Sequence, residues 1–489
     1  MSQSSVPAWD EQLTISPCRI LPTEVVAGIF EHCLPSGPER LEMPLQRLAP
    51  LTLTWVCKSW RNLCLLLPTL WMELAIGHNG SIPDEDVCLL ELWIVRSGYL
   101  PISLRLNYEI DDELRPVFFN QEKHQKYQLS MQKLLSTALT CVERWATFEI
   151  HALDISVLDQ IFLAIVTQGS PWLKNLSFST KYLGFFGDVY VIDFSLCPSL
   201  QSICFQTPMI SPASESDVMQ NMTRLELRFC SSVEDCLRWI NICPALEELI
   251  VRLFCSNVDA LADEFQHLPF HNPRCLQRLK YLEVHNFSGE VDVGGLLDIL
   301  DTPALDSFTI NMYDMIESRT RWTHLLDLLR RSQPSLETLN TLGTPMTMED
   351  TVQCLQLLPT LKTLSIGTHN NTDMLLKALV ATPVSVEQDV PESTPLCPLL
   401  NVLDLVNCSW STDLLASVIS SRSIVSNFSA QPNTRLVSAL SEIRLDHDNA
   451  QRARQHPVLV RHALEGLKIV ECDTNLLILS FASPDVVFV

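Results

Sequence analysis

From about residue 100 onward the chain repeats one phrase of apolar and polar positions: a Pro or small residue, then Leu-x-x-Leu-x-Φ, where Φ is Leu, Ile, Val or Phe. Clear copies are Pro171-Trp172-Leu173-Lys174-Asn175-Leu176-Ser177-Phe178, Pro244-Ala245-Leu246-Glu247-Glu248-Leu249-Ile250-Val251, Pro359-Thr360-Leu361-Lys362-Thr363-Leu364-Ser365-Ile366 and Pro398-Leu399-Leu400-Asn401-Val402-Leu403-Asp404-Leu405. The closing alternation has the two-residue period of a half-buried strand. The second anchors of the phrases are Phe148, Leu176, Ile203, Leu225, Leu249, Leu282, Phe308, Leu339, Leu364, Leu403, Ile443 and Leu467, spaced 28, 27, 22, 24, 33, 26, 31, 25, 39, 40 and 24 residues apart. The long gaps coincide with insertions such as the polar stretch Pro383 to Pro398.

Between the phrases lie helical patterns over Ser231 to Ile242, Arg321 to Arg331, Met348 to Leu358, Asp373 to Val380 and Ser411 to Ile419. Ser232 with Asp235 and Thr347 with Asp350 have capping-box spacing. Strand then helix, repeated, predicts a parallel sheet on the inner side of an arc with helices outside. The residue between the last two strand anchors then points away from the core. The row is Ser177, Cys204, Glu226, Ile250, Glu283, Thr309, Asn340, Ser365, Asp404 and Arg444. It is either a client-binding surface or an ordinary solvated sheet face, and its mixture of charged and small polar groups names no ligand.

The first 75 residues read differently. Leu21-Pro22-Thr23-Glu24 opens a helical run with an apolar stripe of Val25, Val26, Ile29, Phe30 and Cys33, which Pro35-Ser36-Gly37-Pro38 ends. Pro22 suits a first helical turn and Glu24 complements the positive end of the helix dipole. After a loop to about Ala49, Pro50 to Leu67 predicts a second helix with a stripe of Leu53, Val56, Trp60 and Leu63, closing on Pro68-Thr69-Leu70-Trp71. So much apolar surface in so short a unit must be covered, either by a partner or by the domain that follows.

Leu21-Pro22-x-Glu24, Ile29-Phe30, Val56-Cys57-Lys58-Ser59-Trp60-Arg61 and Pro68-Thr69-Leu70-Trp71, in this order and spacing, resemble an F-box. With the segment Leu90 to Trp93 and the pair Arg144-Trp145, they are similar to the large F-box family of mushroom-forming fungi. The array resembles the irregular leucine-rich repeats attached to F-boxes; the spacing of most phrases falls in or near the 20 to 29 residue period of such repeats. It keeps Cys230 and Cys408 at the place of the family's Asn/Cys ladder but puts Phe254 and Phe287 elsewhere.

The resemblance implies that Leu21, Pro22, Ile29, Phe30, Val56, Cys57, Trp60, Leu70 and Trp71 form the face that binds a Skp-type adaptor, or the core directly beneath it. Through that adaptor the chain would reach a cullin and act as the substrate-recognition subunit of an SCF ubiquitin ligase for protein degradation. The alternative is a leucine-rich-repeat scaffold unconnected with ubiquitin.

Composition narrows the field. The chain is 47% hydrophobic and 19% charged, which favours a folded rather than a disordered protein. A net charge of −23, from 57 acidic against 34 basic side chains, disfavours nucleic-acid binding. No apolar run approaches the roughly 20 residues of a membrane span, and Met1 to Asp10 lack the pattern of a secretory signal, so the expected setting is cytoplasmic or nuclear. The 17 cysteines form no Cys-x-x-Cys pair, and Cys64, Cys88 and Cys243 sit in apolar strings as buried reduced thiols.

Enzyme chemistry finds no support. Gly294-Gly295 is the only close glycine pair; no phosphate-binding glycine loop or Gly-x-Ser-x-Gly elbow occurs. His267 and His271, beside Asp263 and Glu264, have zinc-pair spacing, but Pro269 between them disfavours a helix, so they read as a surface loop. His447, His456 and His462 beside Arg452 and Arg454 read as a solvated helix face, and Asp84-Glu85-Asp86 and Asp111-Asp112-Glu113 as loops.

The expectation is therefore a non-enzymatic α/β protein without cofactor or metal. It has a flexible terminus over 1–15, a small all-helical F-box over 16–75, a connecting region with a first irregular repeat over 76–140, and a leucine-rich-repeat-like α/β solenoid with a parallel concave sheet over 141–489.

Overall fold

A computed structural model describes residues 21–34, 49–77, 83–108, 121–152, 158–180, 190–205, 210–213, 218–230, 233–253, 274–286, 293–312, 321–367, 372–381, 395–428 and 437–472. The chain is α/β and divides into two compact units, 1–151 and 152–489. The strand carrying the first anchor, Phe148, thus belongs to the N-terminal unit. Residues 1–15, Asp111 to Glu113, Phe254, Asp263, Glu264, His267, His271 and Phe287 lie outside the described residues.

The N-terminal unit opens with helices α1 (Thr23–His32), α2 (Leu51–Val56) and α3 (Lys58–Leu66), then a 3₁₀ turn, Pro68–Trp71. The stretch predicted as one helix from Pro50 to Leu67 is two. Cys57 is extended, at φ −160° and ψ 170°, and its thiol accepts from the Trp60 amide at 3.4 Å, so it ends α2 and caps α3. Next come β1 (Glu73–Ile76), α4 (Asp84–Arg96), β2 (Ile102–Asn107), α5 (Gln121–Leu139) and β3 (Trp145–Ala152). The strands pair in parallel as β1-β2-β3, with Leu74 beside Leu104 and Leu104 beside Phe148. Asp84 and Asp86 are therefore not in a loop: they start α4, where negative charge suits the helix dipole, and Asp86 accepts from the Tyr108 hydroxyl at 2.7 Å.

The core of this unit joins motifs distant in sequence. Trp71, fully buried, meets Trp93 edge to face at 4.7 Å, and its indole N–H donates to the Cys64 carbonyl at 2.9 Å. The Trp93 indole donates to the Glu73 carbonyl at 2.9 Å, and the Arg96 guanidinium sits 4.3 Å over the Trp71 ring. Arg144 donates to the carbonyls of Leu100 at 2.9 Å and Ile94 at 3.3 Å, tying the start of β3 to the end of α4.

The C-terminal unit begins with α6 (Leu158–Gln168) and β4 (Asn175–Thr180), and continues β5 (Tyr190–Ile192), β6 (Ser202–Phe205), β7 (Ile210–Pro212), β8 (Arg224–Cys230), α7 (Val233–Ile242) and β9 (Glu248–Leu253). There follow β10 (Arg274–Cys275), β11 (Tyr281–Asn286), α8 (Gly294–Ile299), β12 (Leu300–Asp301), β13 (Ser307–Met312), α9 (His324–Ser332), β14 (Thr338–Leu342), α10 (Met348–Gln356) and β15 (Thr363–Gly367). The unit closes with α11 (Asp373–Leu379), β16 (Val402–Asp404), α12 (Thr412–Phe428), β17 (Glu442–Leu445), α13 (His447–Gln455), α14 (Pro457–Leu464) and β18 (Lys468–Glu471).

Its main sheet is parallel and open, in the order β4-β6-β8-β9-β11-β13-β14-β15-β16-β17-β18, with two short parallel pairs, β5-β7 and β10-β12, beside it. Order in space follows order in sequence because each strand phrase buries its anchors against the neighbouring copies. Leu176, Ile203, Leu225, Leu249, Leu282, Phe308, Leu339, Leu364, Leu403 and Ile443 are all buried and occupy one line of register. The last anchor is displaced: Ile469, not Leu467, pairs with Ile443. Gly466, at φ +115°, turns the chain out of α14, and Leu467 still belongs to that turn, its amide donating to the His462 carbonyl.

All five helical patterns are helices, though α12 runs on to Phe428. At α10 the Thr347 hydroxyl accepts from the Asp350 amide at 3.1 Å, while Ser232 lies outside the described residues. Gly294 is where α8 passes α9: a Cβ there would lie 2.3 Å from the His324 ring. Cys64 and Cys243 are buried, and burial pushes their thiols up to about 11 and about 12. Cys88 is exposed, on the outer side of α4.

Candidate functional site

Helix α1 carries two apolar stripes at four-residue spacing. Val26 and Phe30 point inward and are buried; Val25 and Ile29 are 47% and 45% exposed, and Leu21, just before the helix, is 39% exposed. On α2, Leu53 is buried, whereas Trp55 and Val56 are 60% and 59% exposed. The candidate adaptor-binding residues therefore separate. Leu21, Pro22, Ile29, Val56 and Cys57 reach solvent, and Trp60 is half-buried against Phe30. Phe30, Leu70 and Trp71 are core: each is almost fully buried, so none can touch a partner without unfolding. The Thr69 hydroxyl donates to Glu31 at 2.8 Å and fastens the 3₁₀ turn to α1.

In the C-terminal unit, the row read from the strand phrases is one unbroken line of register: Ser177, Cys204, Glu226, Ile250, Glu283, Thr309, Asn340, Ser365, Asp404 and Arg444, each beside the next. All are half-buried except Glu226, which is buried. Alternation puts them on the face opposite the apolar anchors.

The row's charged part is concentrated on β8, β9 and β11. The Glu226 carboxylate accepts from Arg228 Nε at 2.5 Å and from Arg224 Nη2 at 3.3 Å; Arg224 Nη1 also reaches Glu248 at 3.1 Å. Burial opposes ionisation of Glu226, but the guanidinium of Arg228 and the hydrogen bonds it receives outweigh burial, so the carboxyl stays below its ordinary range. A second carboxylate, Glu283, accepts from the Tyr281 hydroxyl and from His285 Nε2. Asn311 Nδ2 lies 3.1 Å from His285 Nδ1. Since the amide must donate there, the imidazole proton is on Nε2, aimed at Glu283. Burial, reinforced by the charges of Arg252 and Arg228, outweighs Glu283 and holds His285 below the ordinary histidine range, so the ring is neutral at pH 7. Glu283 likewise stays ionised: its burial is outweighed by His285 and Tyr281.

Arg228, Arg252, His285 and Asn311 were not singled out from the sequence. They lie two residues beyond the predicted row and hence on the same face, a position the same alternation would have reached one step further along each strand.

Further along, Ser420 Oγ is 3.2 Å from His462 Nε2, and His462 Nδ1 is 3.0 Å from Glu465. This has the connectivity of nucleophile, base and orienting carboxylate. Ser420, however, lies inside α12, where flanking amides are spent on the helical ladder rather than free for an oxyanion. The contact packs α14 on α12. His462 is thus buried rather than solvated, while His447 is exposed and bonded to Glu471 at 2.5 Å and His456 lies 3.1 Å from Asp413.

Among the described residues no group of three or more His, Cys, Asp or Glu side chains is placed to hold a metal ion, and no helix is long and apolar enough to cross a membrane. Compared with known proteins, the chain matches no family model and no curated protein.

Proposed function

We propose that this chain is a substrate-recognition adaptor of a cullin-RING ubiquitin ligase. In this reading α1, α2, α3 and the turn Pro68–Trp71 act as an F-box that binds a Skp-type adaptor, and the strand–helix array acts as a leucine-rich-repeat-like solenoid that holds a client protein. The carrying observation is the outward stripe of Val25 and Ile29 on α1, with Leu21 just before the helix and Trp55 and Val56 on α2, on the segment that resembles the F-box. Fully burying a side chain of this size is worth about 1.5–3 kcal/mol. Five half-exposed ones leave several kcal/mol for a partner to recover, before the costs of association.

The chain then works by proximity. It holds the client's lysines near a charged ubiquitin-conjugating enzyme at high effective concentration and contributes no catalytic residue. Both partners, Skp-type adaptor and client, belong to the cytoplasm or nucleus, which is where the reading places the chain.

The test is co-elution of the full chain with a purified Skp-type adaptor on size exclusion, beside an Ile29→Asp, Val56→Asp double variant whose circular dichroism is unchanged. A complex formed by the wild type and lost in the variant supports the reading; no complex with the wild type overturns it and leaves a scaffold unconnected with ubiquitin.

A further inference from the structure

From β11 to β18 every connection of the main sheet carries a helix, whereas among the described residues the connections from β4 to β6 and from β6 to β8 carry only the short parallel pair β5-β7. A two-stranded pair covers less than a helix does, and a cavity of about 490 Å³ lies beside it. That volume falls within the roughly 300–1,000 Å³ of ligand sites. The floor is apolar and buried: Ile192 of β5, Phe194, Cys197, Leu200 and Ile242 at the end of α7 are each no more than 7% exposed. The rim is apolar but open. Val218 lines it at 48% exposure, and Val191 and Leu196, next in sequence to lining residues, are 65% and 46% exposed. Apolar surface that continues past the mouth of a cavity marks a place where a larger partner sits.

The polar side chains at the cavity select the sign of the ligand. Asp193 is the one charged lining residue. Its Oδ1 accepts the Ser195 amide at 2.7 Å, and its Oδ2 has no hydrogen bond among the described residues. Asn221 spends its Nδ2 on the Pro198 carbonyl at 2.9 Å, which leaves its Oδ1 to accept. No cation answers them in the surrounding sequence: from Tyr182 to Thr223 the chain has the carboxylates Asp188, Asp193, Glu215 and Asp217 and no lysine, arginine or histidine. In a chain of net charge −23 an anionic ligand is repelled here and a cationic one attracted. The neighbouring strands favour a peptide. β5 and β7 pair with each other alone, so each keeps an edge without a strand partner among the described residues, open to an extended segment.

We propose that this cavity and its rim are a docking site for a short extended peptide segment of a client, one that carries an apolar side chain beside a basic one. The apolar side chain fills the floor over Phe194 and Leu200, the ammonium or guanidinium meets Asp193 and Asn221, and the peptide backbone runs along an edge of the β5-β7 pair. The proposal rests on the ligase reading only for calling the bound protein a client, and it leaves the sheet face free.

The experiment is fluorescence anisotropy on the full chain with three labelled hexapeptides: one alternating leucine and arginine, one alternating leucine and glutamate, and one alternating serine and arginine. The expected result is binding of the first, weakened on raising salt from 50 to 200 mM, with the other two at least tenfold weaker. Asp193→Asn keeps an acceptor for the Ser195 amide while removing the charge, and should weaken binding of the first peptide at least threefold. Ala213→Phe fills the cavity and, with circular dichroism unchanged, should weaken it at least tenfold. Failure of the leucine–arginine peptide to bind the wild type, a smaller gap to either other peptide, or a smaller loss in Asp193→Asn overturns the site, and so does an affinity retained by a folded Ala213→Phe chain. The Asp193→Asn variant is also offered the Skp-type adaptor. Retained adaptor binding beside weakened peptide binding supports the site, whereas peptide binding by a wild-type chain that binds no adaptor removes the ligase reading and leaves the site standing.

Discussion

The ring of Phe30 lies 4.8 Å from that of Trp60, the planes inclined at 55°, and this contact closes α1 over α3. Phe30 is fully buried beneath it, while Val56, one helix away, is 59% exposed. Two residues of one motif thus do different jobs. Phe30→Ala should destabilise the N-terminal unit by about 3–5 kcal/mol, whereas Val56→Ala should change stability by no more than about 0.5 kcal/mol. Urea unfolding followed by tryptophan fluorescence separates the two; equal losses would show that Val56 is core.

The cap of α10 gives a smaller and cleaner effect. Thr347 accepts the Asp350 amide at 3.1 Å and returns its hydroxyl proton to the Asp350 carboxylate at 2.8 Å. Thr347→Ala should cost about 1 kcal/mol in denaturant unfolding, and Thr347→Ser should restore most of it. An alanine variant as stable as the wild type would mean that the helix start does not depend on this hydroxyl.

Thr347 also shows how much was legible beforehand. Alternation of period two yielded β3, β4, β6, β8, β9, β11 and β13 to β17 with their buried anchors, because identical phrases must stack to bury their Leu-x-x-Leu pairs; β1, β2, β5, β7, β10 and β12 were not among the anchors. Leu467 failed because the last phrase is apolar at both Leu467 and Ile469, and only Gly466 with its turn decides between them. The break at Cys57 was invisible because nothing in Val56-Cys57-Lys58 forbids a helix; an extended backbone and a capping thiol are tertiary choices. Glu226 and Arg228 look like an ordinary ion pair in sequence, and only burial shows that the carboxylate is the deeper of the two.

His285 predicts a pH dependence. Burial holds its pKa below the ordinary 6.5, so the unfolded chain takes up this proton at a higher pH than the folded one. The stability it contributes is complete above about pH 6.5 and is lost as pH falls below that value. His285→Gln should therefore lose less stability than the wild type between pH 7.5 and 5.5. Glu226 and Glu283, held below the ordinary 4.5 for a carboxyl, act only in the lower window, where their contribution is lost as pH falls. Parallel denaturation midpoints for both chains across that range would contradict a neutral buried His285.

Gln333 ends α9 in the left-handed region, at φ +44°, its amide donating to the Leu329 carbonyl at 2.9 Å. That backbone costs a non-glycine residue about 1–2 kcal/mol, and glycine returns about 0.5–1 kcal/mol of it through the unfolded chain. Gln333→Gly should raise stability by roughly 0.5–1 kcal/mol, read as a higher urea midpoint at unchanged slope. A lower midpoint would mean that the Gln333 side chain holds the turn.

The central claim is that α1 to α3 dock an adaptor while the sheet face stays free for a client. Amide hydrogen exchange of the full chain, with and without a purified Skp-type adaptor, tests it most directly. The account predicts added protection confined to residues 21–34 and 51–71, with exchange of the strands from Arg224 to Met312 unchanged. Protection of those strands instead, or none anywhere at saturating adaptor, would contradict it.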